Sequence, residues 1–238
     1  MSKAMLTRRV EEETLDHLRE DDPRAIRSRR DLRLINRVMG NASILDSLLH
    51  GSLKRPPKRI AELGAGDGLL LLAIARRRAP EWPGVALTLV DRQDLLDATT
   101  RTAFADLGWT ASAAVMDVFD WLEDETHRLY DAIVANLFVH HFEADALRRL
   151  LGAIARITEC FIACEPRRAR VAQLGSYLVG ALGANDVTRR DTVLSVRAGF
   201  RDHELSAWWP NDGQWQISEG DARLFSHVFT AVRRNRRD

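Results

Sequence analysis

The chain is 238 residues long, 45% hydrophobic, with a formal net charge of +1. This length buries one full core with a modest extension, and the near-neutral balance argues against a large nucleic-acid footprint. No apolar run approaches the ~18 residues of a membrane span, and the opening Met1–Arg9 is too charged for an export signal, so a cytoplasmic protein is expected.

Residues 1–55 read as helical, with breaks at Asp21-Asp22-Pro23 and from Gly40 to Ser43. Pro23 suits a first helical position with Asp22 as its cap. Ile26, Leu32, Leu34, Ile35 and Val38 fall at roughly helical spacing, leaving the arginines between Arg24 and Arg33 on other faces. That stretch and the tail Arg233–Arg237 are basic enough to grip phosphates, although solvated faces and frayed ends carry the same pattern. Lys54 to Pro57 is a short linker into the first strand.

The stretch from Arg59 to Leu70 runs from a buried strand through a glycine turn into an apolar helix, placed at 69–78. Gly64, Gly66 and Gly68 let the backbone turn sharply and approach a ligand, because no Cβ intrudes. Amides of such a turn and of the first helical turn favour negative charge. The dinucleotide fingerprint G-x-G-x-x-G is not met, since Leu69 stands where its third glycine belongs. Glu62 also lies inside the strand, where a carboxylate can receive an ammonium or hydroxyl group. The run Glu62-Leu-Gly-Ala-Gly-Asp-Gly68 resembles motif I of the class I S-adenosylmethionine-dependent methyltransferases. The resemblance implies S-adenosylmethionine as cofactor, held by Glu62, Gly64, Ala65, Gly66, Asp67 and Gly68.

Val85–Asp91 is a second β-like run ending in an acid, and a carboxylate there accepts hydrogen bonds from ribose hydroxyls in nucleotide-binding folds. Asp91, with Arg92 beside it, is the expected ribose ligand. A helix cap is the competing role for Asp91, and Asp94 is the better cap for a helix at 93–107. A third run, Thr110–Met116, ends in Asp117-Val118. In the methyltransferase pattern Asp117 meets the adenine amine, while Met116 and Val118 pack on the ring. A short helix is expected near Trp121.

Tyr130–Asn136 resembles motif IV, and its exit through Leu137, Phe138, His140, His141 and Phe142 would lie under the transferable methyl group, with Asn136 and Leu137 against the cofactor. A helix follows at 143–156. The resemblance covers roughly residues 58 to 165. Cys160 and Cys164 share a strand-like run that keeps them too far apart to bond to each other, so reduced core thiols are expected. No metal-ligand set is read.

Beyond Pro166 come a helix-like stretch at 167–182 and strands six and seven at Asp191–Val196 and Leu224–Val232. The expected fold is α/β, a Rossmann-like, seven-stranded, mostly parallel sheet with helices on both faces, its last strand antiparallel between the fifth and sixth. Residues 1–55 would be a helical lid and 56–238 the methyltransferase domain, with 167–190 a substrate-side insertion.

The function this implies is methyl transfer to O or C of a small phenolic, quinone-like or polyketide-type metabolite. Histidine suits a base for such an acceptor, and His141 is preferred over His140, a structural role for the pair remaining open. Glu165, Arg30 and Tyr177 are candidate substrate contacts, Glu165 competing with a cap around Pro166. Arg27, Asn36, Arg167 and Asn185 are weaker candidates. Trp208, Trp209 and Trp215 suit core or edge packing better than a pocket wall. Asn136 is followed by Leu137-Phe138 with no proline, which disfavours the amino-directed DNA enzymes. The alternatives are a nucleic-acid or protein methyltransferase and a cofactor-binding protein without turnover. No oligomeric state is read.

Overall fold

The computed structural model describes residues 7–124, 129–178, 183–210 and 212–234. Helices α1 (Pro23–Met39) and α2 (Asn41–Ser52) precede β1 (Arg59–Leu63), α3 (Leu69–Arg78) and β2 (Ala86–Asp91). Next come α4 (Ala98–Asp106), β3 (Thr110–Val115), α5 (Val118–Glu123), β4 (Ala132–Asn136) and α6 (Ala144–Ile157). The chain continues through β5 (Cys160–Pro166), α7 (Arg170–Leu178), α8 (Asp186–Ala198), β6 (Trp215–Ala222) and β7 (Ser226–Arg233).

All seven strands form one sheet in the order β3-β2-β1-β4-β5-β7-β6. Strands β1 to β5 are parallel, and β7 runs antiparallel between β5 and β6, as expected. Alternation along the central strands divides the core. Ile60, Ala132, Val134, Cys160, Ile162 and Cys164 face the layer of α2, α3 and α4. Ala61, Leu63, Ile133, Ala135, Phe161 and Ala163 face α5 and α6, together with Trp209 and Trp215. Strands buried on both faces explain the nearly continuous apolar runs in the sequence. The two free cysteines sit in the α2-side core, where burial pushes each thiol up to about 12, so both stay protonated.

The caps follow the local chemistry. Asp22 Oδ1 accepts from Arg24 N at 2.7 Å ahead of Pro23, and Gly40, at φ 73°, closes α1. Helices α3 and α6 lie where periodicity placed them. The helix expected at 93–107 starts later, at Ala98, because Asp97 rather than Asp94 is its cap, accepting from Thr100 N at 2.6 Å. Helix α2, inside the segment read as a lid, packs Leu45 and Leu49 fully into the core. Of the expected helix at 167–182, residues 179–182 lie outside the described residues, as do residues 235–237 of the basic tail.

One element is corrected. Asp191–Val196, expected as strand six, belongs to helix α8, and the sixth strand is Trp215–Ala222. The β-branched Thr192, Val193 and Val196 suggested a strand, but Asn185 caps this helix by accepting from Thr188 N at 3.0 Å. Val187, Asp191, Leu194 and Ala198 are buried at helical spacing.

The edge of the sheet carries a buried ionic clasp. His227 on β7 contacts Glu219 at 2.9 Å and Asp221 at 3.2 Å, both on β6. Burial opposes the charged ring, but hydrogen bonds and the charges of both carboxylates outweigh it and raise the His227 pKa. Stabilisation from a raised histidine is complete below its unfolded value of about 6.5 and fades as pH rises through the folded one. The stability gap between the parent and His227→Gln should therefore narrow from pH 6 to pH 9 in urea unfolding. A constant gap would show that folding does not shift the titration of the ring.

Candidate functional site

The sheet order reverses between β1 and β4, and the carboxyl ends of the strands there open a crevice. Gly64, Gly66 and Gly68 follow β1 with φ of 66°, 54° and 73°. At Gly66 a Cβ would meet nothing within 4 Å, so this turn presents bare backbone to open space. Gly64 N and Ala65 N donate to Val90 O at 2.9 and 3.1 Å, pinning the turn to β2. Asp91 Oδ2 accepts from Gly66 N at 2.9 Å, and its Oδ1 accepts from Gln93 N at 3.0 Å. Asp67 pairs with Arg33 of α1 at 2.9 Å.

Glu62 is the unusual member. It is buried in β1, and its Oε2 has no hydrogen-bond partner among the described residues. Burial raises its pKa well above the carboxylate range, reinforced by the charges of Asp67 and Asp91. A buried, unsatisfied carboxylate oxygen is costly unless a ligand donates to it.

At the next strand end, Met116 is exposed and Asp117 caps α5 by accepting from Phe119 N at 2.8 Å. Val118 turns instead into the core with Val90 and Leu122, which removes it from the expected packing against a ring. Asn136 joins Asn36 and Asn41 in a closed amide cluster. Asn41 Nδ2 donates to Asn36 Oδ1 at 2.8 Å and to Asn136 Oδ1 at 2.9 Å, and Asn136 Nδ2 donates to Asn36 Oδ1 at 3.2 Å. Leu137 follows in a left-handed conformation, φ 51°, unusual for a leucine.

The expectation for Glu165 changes. Its side chain is fully buried at the end of β5, and its hydrogen bonds run to the β4 exit. Oε1 accepts from Phe138 N and Val139 N, each at 3.0 Å, and Oε2 meets His140 Nδ1 at 2.8 Å. It anchors this turn, so it is closed to a substrate. His140 Nε2 faces Glu13 Oε1 at 3.4 Å. Burial opposes the His140 charge, yet hydrogen bonds to Glu13 and Glu165, with their charges, hold it up to about 9. His141 stacks beside it with ring centroids 4.2 Å apart, is partly exposed, and meets Asp16 at 3.4 Å. Burial first, then the neighbouring His140 charge, lowers its pKa. Arg92 lies 3.8 Å from the other oxygen of Asp16.

Sequence reasoning missed the groups that hold this cluster from afar. Glu13 also accepts from Ser195 Oγ of α8, while Asp191 accepts from Thr14 N and Leu15 N, both at 2.9 Å. Arg8 donates to the carbonyls of His140, Phe142 and Ala198 at 2.7, 2.9 and 2.7 Å. A helical reading of 186–198 was the available signal, since it sets Asp191 and Ser195 one turn apart. Among the described residues, the candidates Arg30 and Tyr177 are exposed and make no hydrogen bond or ion pair to the site.

No family model matches the chain. An uncharacterised methyltransferase of Mycobacterium bovis, and its counterparts in two Mycobacterium tuberculosis strains, are 33% identical over 117 residues. The match covers 48% of this chain, and the chain spans about half the length of these curated relatives, 54%. Among solved structures, the plantazolicin methyltransferase BpumL, in complex with a monoazolic desmethylPZN analog and SAH, superposes with TM-score 0.64 at 15% identity. That likeness covers 90% of this chain and 91% of BpumL. An O-methyltransferase family protein from Burkholderia thailandensis has TM-score 0.62 at 16% identity, covering 93% and 62%. Magnesium protoporphyrin IX methyltransferase from Synechocystis, with bound SAH, gives 0.55 at 13%, covering 86% of each chain. The fold is the Rossmann-like one of these methyltransferases, as expected.

Removing Glu165 would leave the His140 charge buried with one partner fewer. Glu165→Ala should cost about 3–5 kcal/mol in urea unfolding. A cost below about 1 kcal/mol would show that the carboxylate does not carry the turn.

Proposed function

We propose that the chain is an S-adenosylmethionine-dependent methyltransferase acting on oxygen or carbon of a small phenolic, quinone-like or polyketide-type acceptor. The observation that carries this reading is Glu62, a buried carboxylate with an unpartnered oxygen beside a glycine turn that is open at Gly66. The methionyl ammonium supplies the missing donor, and its charge offsets the burial that otherwise keeps Glu62 protonated. Similarity to proteins named methyltransferases supports the same conclusion.

When bound, S-adenosylmethionine supplies a methyl group on a sulfonium centre for in-line displacement. The remaining work falls to the chain. Asp91 is placed to exchange its bonds to Gly66 N and Gln93 N for ribose hydroxyls. Met116 packs on the adenine, and Asp117 keeps one oxygen for its amine. Helix α1 serves as the lid, held over the crevice by Arg33 to Asp67 and by Asn36 to Asn136, which excludes water from the reacting groups. The histidine pair stands at the β4 exit, where the acceptor meets the methyl group. His140 has a carboxylate at each ring nitrogen, so His141, the accessible member, is the group placed to take the acceptor's proton.

Thermal unfolding tests the reading. S-adenosylhomocysteine at about 100 times its dissociation constant should add about 2.7 kcal/mol, a shift of several degrees, whereas NAD should add nothing. Asp91→Ala should weaken that ligand by about 1.5–3 kcal/mol. His141→Ala should retain its affinity and lose turnover. A shift with NAD alone would overturn the cofactor. Binding without transfer to any phenolic, quinone or polyketide acceptor would leave a binding protein.

A further inference from the structure

We propose that Glu13, His140 and His141 form a binding site for a divalent first-row metal ion at the acceptor side of the crevice. One donor atom of each residue lies within 4.8 Å of the other two. One pair, His140 Nε2 and Glu13 Oε1, is 3.4 Å apart. That is long for a hydrogen bond, but two donors bound to one tetrahedral metal at about 2.1 Å stand about 3.4 Å apart. Two imidazoles and one carboxylate are the ligand set of open catalytic zinc sites and of non-haem iron sites.

The surroundings match a metal site beyond the three donors. Glu165 Oε2 takes the Nδ1 side of His140 at 2.8 Å, which turns the Nε2 lone pair toward Glu13. Carboxylate–histidine pairing of this kind orients metal-ligating imidazoles. Ser195 holds Glu13 from the opposite side. Asp16, with one oxygen 3.4 Å from His141 Nδ1, stands at the edge of the group. Glu13, Asp16 and Glu165 thus bring three carboxylates to two imidazoles. A single proton on His140 neutralises part of that charge, and a dication neutralises more. Arg92, 3.8 Å from Asp16, is the positive side chain seen to reach one of these carboxylates from the cofactor side.

The placement gives the ion a task, which rests on the methyl-transfer reading. A phenol or enol coordinated there loses its proton to water, and the oxygen keeps the electron pair that forms the new bond to the methyl carbon. His141 is then a ligand rather than the base. The acceptor class narrows to oxygen nucleophiles, one oxygen taking the position that the three donors leave open.

Isothermal titration of untagged, EDTA-dialysed full chain with ZnCl2, repeated with MnCl2, tests the site itself. One equivalent should bind, more tightly for zinc, since nitrogen-containing sites follow the usual first-row order. Glu13→Gln, which leaves His140 paired to Glu165, and His141→Gln should each weaken binding by about 100-fold or more. Cobalt substitution adds a spectroscopic check, because intense visible absorption marks four-coordinate geometry. Absence of stoichiometric binding, or binding unaffected by Glu13→Gln, overturns the site and leaves the proton on His140 as what joins the two carboxylates. Thermal shift with S-adenosylhomocysteine, run on the same samples, separates the two readings. A shift without metal binding sinks this site alone, and metal binding without a shift sinks the cofactor reading alone.

Discussion

Burial of the Glu165 carboxylate at the end of β5 sets conditions that the surrounding residues have to meet. An ionised carboxylate in that position is tolerable only if donors surround it, and two backbone amides and one imidazole do so. To deliver consecutive amides from Phe138 and Val139 to one oxygen, the chain leaving β4 must turn at once. Leu137 takes up that turn with a positive φ, while its own N–H is kept by Cys164 O at 2.9 Å. The turn then sets the Phe138 ring against Gly64, where a Cβ would lie 2.3 Å from Phe138 Cδ2. The first glycine of the motif is therefore required twice, for its φ and for the ring that lies on it. Through this contact the β4 exit and the glycine turn are packed as one unit, joined by a single side chain.

The cover over this unit is mostly polar. Arg29 bonds Gln93 at 2.9 Å, Arg33 bonds Asp67, and the Asn36–Asn41–Asn136 amides close on one another. The apolar side chains Ile26, Leu34 and Val38 of the same helix remain exposed. Exposed hydrogen bonds and ion pairs are worth little each, so such a cover opens at small cost, whereas an apolar interface would have to re-expose area. Helix α2 is the contrast, its Leu45 and Leu49 locked in the core. Gly40, left-handed between the two helices, separates the polar cover from the helix packed into the core.

Legibility followed sequence distance. Strand ends with an acid or glycine close to an apolar run were readable, because period, turn chemistry and ligand chemistry coincide within a few residues there. Glu62, Asp91 and the His140–His141 pair became candidates that way. Glu165 was found too, but its role was misjudged, since nothing in Cys-Glu-Pro-Arg reveals that the amides it serves lie some 27 residues earlier. Arg8, Glu13 and Asp16 were invisible for the same reason. Glu13 is held by α8, through Ser195 182 positions away, and faces His140 127 positions away. Reading that helix as a strand removed the scaffold along with the residues it positions. Val118 failed differently, because a residue after a helix cap faces inward as readily as outward and the local pattern does not choose.

The two histidines show how one dipeptide acquires two chemistries. The two share one sequence context, yet His140 lies between carboxylates on both edges and keeps a proton, while His141 has a carboxylate, Asp16, at one ring nitrogen and a charged neighbour. Each state supports the other. The His140 charge suppresses charge on His141, and a neutral His141 lets His140 keep its charge without repulsion at 4.2 Å. A divalent ion at Glu13 would compete for the same electron pair on His140 that the proton occupies, so the cluster has one place for either. Which of them is held decides whether His141 has a lone pair to offer an acceptor, and that choice is made by residues near the N-terminus rather than by the motif that carries the histidines.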